Sequence, residues 1–127
     1  IDTAVITLTF EDDTMAVIDN CRKAVYGYEQ RLEVFDSKGM AQAENNFPNN
    51  HKLYTESGIS GDLPLHFFLE RYDASYNQEI REFIDALVSG SEMPVNGEDG
   101  LLSIAIGLAA KKSVEEGRPV QIDEILI

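Results

Sequence analysis

Two phenols flanking a glycine, Tyr26-Gly27-Tyr28, form the segment of this chain best suited to holding a polar ligand. A glycine lets another backbone or a ligand approach closely, and a phenolic hydroxyl both donates and accepts hydrogen bonds. The same spacing also suits an ordinary aromatic pair at a strand edge, and spacing alone favours that plainer assignment. Asp62 and His66 stand four residues apart, which on a helix would bring an acid beside a histidine. Pro64 lies between them and disfavours helix for the residue before it. Asp62 therefore reads as loop and His66 as a surface residue of the first turn of a helix. His51 follows Asn49-Asn50 in a polar loop and reads as solvent-exposed, while Cys21 reads as a small packed strand side chain. No G-x-G-x-x-G, phosphate-binding G-x-x-x-x-G-K or nucleophile elbow occurs, so the residues themselves give no dinucleotide fingerprint and no hydrolase motif. No Cys/His cluster suggests a metal site. With 23 Asp plus Glu in the chain, no single carboxylate pair stands out.

The 127 residues, 43% of them apolar, predict one domain spanning 1–127. A formal charge of −13 repels phosphate backbones and anionic lipid, which argues against nucleic acid and membrane surfaces as partners. The longest uncharged apolar run, Leu101 to Ala110, is about half the length of a membrane span. One cysteine excludes an internal disulfide framework and fits a reducing, cytoplasmic setting. Ile1 is not a start residue, the first methionine is Met15, and strand character begins by Thr3. These features predict a piece of a longer protein.

The elements that must position the tyrosines follow from hydrophobic period. Residues 3–10 alternate, with Ala4, Ile6, Leu8 and Phe10 on one face and Thr3, Val5, Thr7 and Thr9 on the other. A turn at Glu11-Asp12-Asp13-Thr14 returns the chain along Met15 to Arg22. A second hairpin joins Arg31–Phe35 to Met40–Glu44 around Asp36-Ser37-Lys38-Gly39, and a weaker strand covers Lys52–Glu56. The period then changes. Leu65, Phe68, Leu69, Tyr72, Tyr76, Ile80, Phe83, Ile84, Leu87 and Val88 mark a long helix that starts just after Pro64 and ends at Gly90. A second helix, about Glu98 to Glu116, carries the stripe Leu101, Ile104, Ala105 and Leu108, and Pro119–Ile122 reads as a last short strand. The fold class is α+β: an open, largely antiparallel or mixed sheet, with helices on one face and the other available for oligomerisation. A Thr-rich solvated face is the alternative for that second side.

Several segments together carry a resemblance. They include Thr7-Leu8-Thr9-Phe10-Glu11-Asp12, Tyr26-Gly27-Tyr28-Glu29-Gln30-Arg31, Glu33-Val34-Phe35-Asp36-Ser37-Lys38-Gly39, Phe68-Leu69-Glu70-Arg71-Tyr72 and Gly97-Glu98-Asp99-Gly100-Leu101. In order and spacing they resemble the C-terminal domain of the glucose–fructose oxidoreductase/inositol dehydrogenase/rhizopine-catabolism (Gfo/Idh/MocA) family, nearest to its inositol dehydrogenases. The resemblance implies a substrate-side domain that accompanies an N-terminal Rossmann domain binding NAD or NADP and packs into homo-oligomers through its sheet. It implies a cyclitol or polyol substrate oxidised at a CH–OH group, with Tyr28 hydrogen-bonding the polyol and Phe68 lining the pocket. The family's catalytic lysine, aspartate and histidine belong to E-K-P and D-x-x-x-H motifs that precede the matched region. The resemblance thus assigns no catalytic, NAD-binding or metal-binding residue to this chain, and Asp62 and His66 receive no role. It also implies that the isolated chain is inactive. Asp13 departs from the family pattern, in which a glycine commonly closes the first turn. A stand-alone dimerising ligand-binding module, or the same domain of another polyol or sugar dehydrogenase, is the competing assignment.

Overall fold

The computed structural model describes residues 1–126. Six strands precede two helices: β1 (Thr3–Thr9), β2 (Met15–Cys21), β3 (Leu32–Asp36), β4 (Gly39–Ala43), β5 (Lys52–Thr55), β6 (Gly58–Gly61), α1 (Phe68–Ser89) and α2 (Gly97–Glu116). A 3₁₀ turn, Ile122–Glu124, follows. The α+β content matches the sequence reading. The strands pair as three two-stranded sheets, β1-β2, β3-β4 and β5-β6, where the pattern predicted one open sheet. The segments between hairpins direct hydrogen bonds to one another and to the approach of α1. Backbone contacts divide the chain into one unit of residues 1–5 and 19–78 and a second of residues 6–18 and 79–127.

The turns follow local chemistry. Asp36 pairs with Gly39 across a two-residue loop, and its carboxylate accepts from Ser37 Oγ at 2.8 Å and Lys38 N at 3.1 Å. Asp13 adopts φ 64° in the first turn, the left-handed region that a glycine would enter freely. Aspartate tolerates that region better than most residues. Asp12 secures the turn by accepting from both Thr14 N and Thr14 Oγ1. β6 escapes a propensity reading because its Gly58-Ile59-Ser60-Gly61 is half glycine. It forms as the return strand of a hairpin in register with β5, Thr55 opposite Gly58.

In the first unit, one contact fixes how the Tyr26–Tyr28 segment meets the approach to α1. Gly27 has φ 137°, and a Cβ there would lie 2.8 Å from Pro64 O and 3.2 Å from Leu65 O. Next to it, Tyr28 N donates to Leu65 O at 2.9 Å, and Leu65 N donates to Asn46 O at 3.4 Å. Leu65 is thereby held outside helical geometry, which is why α1 begins at Phe68 and not directly after Pro64. His66 lies ahead of the helix, exposed. Gln30 N donates to Asn45 Oδ1 at 2.9 Å, tying the run-in to β3 to the same loop.

In the second unit, Ile6, Leu8 and Phe10 of β1 line a cavity of about 430 Å³ together with Leu102, Ile106 and Ala109 of α2. Burial along β1 alternates as its sequence does, with Ala4, Ile6 and Leu8 partly buried and the Thr/Val side exposed. On α2 the buried residues are Ala105 and Ala109, while Leu101, Ile104 and Leu108 face outward. The buried face thus shares Ala105 with the predicted stripe and adds Ala109, small side chains that allow close approach, while the large residues of that stripe face outward. On α1 only Ala86 is buried, and the apolar residues Ile80, Phe83, Ile84, Leu87 and Val88 are exposed. Asn96 caps α2 by accepting from Glu98 N and Asp99 N, and Gly117, at φ 64°, closes it.

The predicted strand at Pro119–Ile122 does not form. Glu124 instead draws the segment back onto α2: its carboxylate accepts from Lys112 Nζ at 2.9 Å, from Arg118 at 2.9 and 2.7 Å, and from Gln121 N at 3.1 Å. That wrapping favours a tight 3₁₀ turn. Cys21 is also not packed; it is exposed, and its Sγ accepts from Thr3 Oγ1 at 3.1 Å.

Every residue of β3 to β6 is exposed, including Leu32, Val34, Phe35, Met40, Tyr54 and Ile59. No helix among the described residues is long and apolar enough to cross a membrane.

Two expectations follow. Gly27→Ala places a Cβ against a backbone carbonyl at a φ that L-residues avoid, so it destabilises the first unit by about 1–3 kcal/mol. The midpoint of denaturation followed by tyrosine circular dichroism checks this. The hydrogen bonds from Arg118 and Lys112 hold the Glu124 carboxyl well below the usual glutamate range. A folded-state pKa lowered in this way adds stability that is present above the ordinary glutamate pKa and lost as pH falls through the folded value. Glu124→Gln should therefore flatten the acid limb of the stability–pH profile and change the profile least below that limb.

Candidate functional site

The tie between Tyr28 and Leu65 brings an aromatic ledge together at the start of α1. The Tyr28 and Tyr72 rings meet edge-to-face, with centroids 5.5 Å apart and planes at 85°. The edge-to-face geometry sets the positive rim of one ring against the negative face of the other. Tyr72 in turn meets Tyr76 at 6.3 Å, one helical turn on. Its hydroxyl donates to Gln30 Oε1. The Arg71 guanidinium carbon lies 5.2 Å from the Tyr72 ring centroid, and Arg71 Nε is buried without a hydrogen-bond partner. Burial, and after it the neighbouring Tyr28 phenol, push the Tyr72 hydroxyl above its usual range, so it remains a proton donor at neutral pH.

Phe68 lies one helical turn before Tyr72 and packs on Phe67 with ring centroids 4.5 Å apart. Tyr28 is 39% exposed and Phe68 is 37% exposed, so each keeps surface that a ligand can reach. The residues singled out from sequence therefore border the first turns of one helix. Tyr72 and Gln30, which complete the arrangement, were not. Tyr72 was legible only as part of the α1 stripe, and Gln30 carried no signal of its own. A hydrogen bond between residues 42 positions apart leaves no local mark.

Asp62 and His66 do not come together. Asp62 accepts from the Asn49 side-chain amide and lies 3.9 Å from His51 Nε2, in a polar groove of about 650 Å³ that Asn45, Phe47 and Leu65 also line. Tyr28 and Phe68 are not part of that groove. Among the described residues, no group of three or more His, Cys, Asp or Glu side chains is placed to hold a metal ion.

The arrangement offers a hydroxyl that can donate or accept beside a flat apolar ring. Such a pair suits a ligand with ring hydroxyls and C–H faces, for which a site needs few, well-placed polar groups on an apolar lining. It holds no base and no nucleophile beside the phenol.

Comparison with known proteins identifies the family. Residues 1–122 match the family described as the oxidoreductase family, C-terminal alpha/beta domain. The chain is 51% identical over 123 residues to the uncharacterized oxidoreductase YrbE of Bacillus subtilis, covering 97% of this chain and 36% of that protein. It is 48% identical over 126 residues to myo-inositol 2-dehydrogenase of Thermotoga maritima, covering 99% and 38%. The crystal structure of scyllo-inositol dehydrogenase from Lactobacillus casei, with bound NAD(H) and scyllo-inositol, matches at TM-score 0.86 and 27% identity. That match covers 97% of this chain and 36% of that one. The chain thus spans somewhat over a third of the length of these relatives. Its match over nearly its whole length shows that it belongs to the Gfo/Idh/MocA oxidoreductase family, as that family's C-terminal alpha/beta domain.

Proposed function

We propose that this chain is the substrate-side domain of an NAD-dependent inositol 2-dehydrogenase, which oxidises myo-inositol to the 2-keto inosose. The observation that carries this reading is the part-exposed Tyr28 phenol, held in an edge-to-face pair with Tyr72 at the head of α1. Relatives named as inositol dehydrogenases, at up to 48% identity, support the substrate class.

NAD supplies the hydride acceptor in this chemistry. The residues of this chain do not fit the role of holding its pyrophosphate. Among the described residues, no strand passes through a glycine-rich turn into a helix. The start of α2 is already closed by Asn96 and carries Glu98 and Asp99, whose charges oppose a phosphate. The dinucleotide therefore belongs to the part of the enzyme outside this chain, with the base that takes the hydroxyl proton. Tyr28 orients a ring hydroxyl by hydrogen bonding, and Phe68 covers part of the C–H face of the ring. Both act by positioning, which keeps the reacting carbon aligned for transfer.

The exposed strand residues Leu32 and Val34 on one side of the β3-β4 hairpin, and Phe35 with its partner Met40 on the other, support a homo-oligomer formed through these strands. Contiguous apolar surface of this kind marks interaction sites.

The test uses the whole protein and the isolated chain with myo-inositol and NAD. The whole protein produces NADH and the isolated chain does not; turnover by the isolated chain would contradict the assignment of chemistry to the rest of the enzyme. In the whole protein, Tyr28→Phe loses one hydrogen bond, and kcat/KM for myo-inositol falls by roughly two- to twelvefold, equivalent to about 0.5–1.5 kcal/mol. Unchanged kinetics would remove Tyr28 from the site, and a preference for another cyclitol or an aldose would reassign the substrate.

A further inference from the structure

We infer that Tyr72 and Gln30 are positioning residues that hold the Tyr28 phenol in its substrate-binding orientation. This inference rests on the reading of Tyr28 as a substrate ligand.

Tyr28 stands in the run-in to β3, outside any regular element, so no ladder of backbone hydrogen bonds fixes its ring. A ring presented from such a segment must be oriented by side-chain contacts. The structure provides them from one residue. Tyr72 packs edge-to-face with Tyr28 and donates its hydroxyl to Gln30, two residues further along the same segment. Residues two apart in the approach to a strand thus meet the same helical tyrosine, as the side-chain alternation of extended chain allows. The segment's backbone is tied separately, at Tyr28 N to Leu65 O and at Gln30 N to Asn45 Oδ1. Those ties place the segment. The Tyr72 contacts determine which way its side chains face.

The protonated state of Tyr72 suits the role. Burial disfavours its phenolate, so it stays a donor and Gln30 Oε1 the acceptor. The Arg71 guanidinium also lies against the Tyr72 ring, its carbon 5.2 Å from the centroid. Tyr72 then acts through Tyr28 and need not touch substrate.

The test is a double-mutant cycle in the whole protein, read as KM for myo-inositol, KM for NAD and kcat. Tyr72→Phe keeps the ring and removes the donor; it is expected to raise the myo-inositol KM at least about threefold, the scale of one lost hydrogen bond. The NAD KM should stay at the wild-type value, which a general loss of structure would not leave untouched. In a Tyr28→Phe background, Tyr72→Phe should produce no further rise. Gln30→Leu should reproduce the Tyr72→Phe effect, and Gln30→Glu, which retains an acceptor, should restore the wild-type KM. This pair tests the inference even if Tyr72→Phe fails to fold. If Tyr28→Phe alone is silent, the substrate-ligand reading falls. If Tyr28→Phe acts but Tyr72→Phe and Gln30→Leu are silent, or if the two tyrosine substitutions multiply independently, the positioning role is overturned.

Discussion

The contact of Gly27 with the carbonyls of Pro64 and Leu65 is the constraint from which the arrangement around Tyr28 follows. A backbone segment can approach two carbonyl oxygens this closely only where it has no Cβ, and Gly27 also takes a φ of 137° to do so. Once the two segments are pressed together, Tyr28 N reaches Leu65 O. That bond keeps Leu65 out of the helix, and α1 begins at Phe68 with Tyr72 one turn on, in edge-to-face contact with Tyr28. A single glycine thereby couples a loop to the phase of a helix.

The parts legible in the sequence are those with a short-range cause. Alternation in β1 correctly separated Ala4, Ile6 and Leu8 from the exposed Thr/Val side. The turn at Asp36–Gly39 and the cap at Gly117 follow from residues that favour those backbone angles. The parts that escaped depend on distant partners. The start of α1 is decided by Tyr28, far along the chain, and the final segment curls into a 3₁₀ turn because Lys112 and Arg118 meet Glu124. Of the predicted α2 stripe Leu101, Ile104, Ala105 and Leu108, only Ala105 turned inward, joined by Ala109. Periodicity identifies a helix but does not choose between a face of leucines and a face that approaches closely through alanine. In the site, Tyr28 and Phe68 were accessible through the resemblance of their segments; Tyr72 and Gln30 became visible only through geometry.

Charge and surface explain how such a domain can serve as a component. The net charge of −13 argues against phosphate or lipid surfaces, while the two strands around the Ser37–Lys38 turn expose apolar residues on both sides. An acidic chain with uncovered strand faces is suited to contact other protein surfaces.

The most direct measurement of the central claim is the crystal structure of the whole protein with NAD and myo-inositol bound. The account predicts Tyr28 Oη within about 2.5–3.0 Å of a ring hydroxyl, with the Phe68 ring against the cyclitol and Tyr72 still bonded to Gln30. A bound cyclitol out of hydrogen-bonding reach of Tyr28, with the phenol turned toward protein, would contradict it.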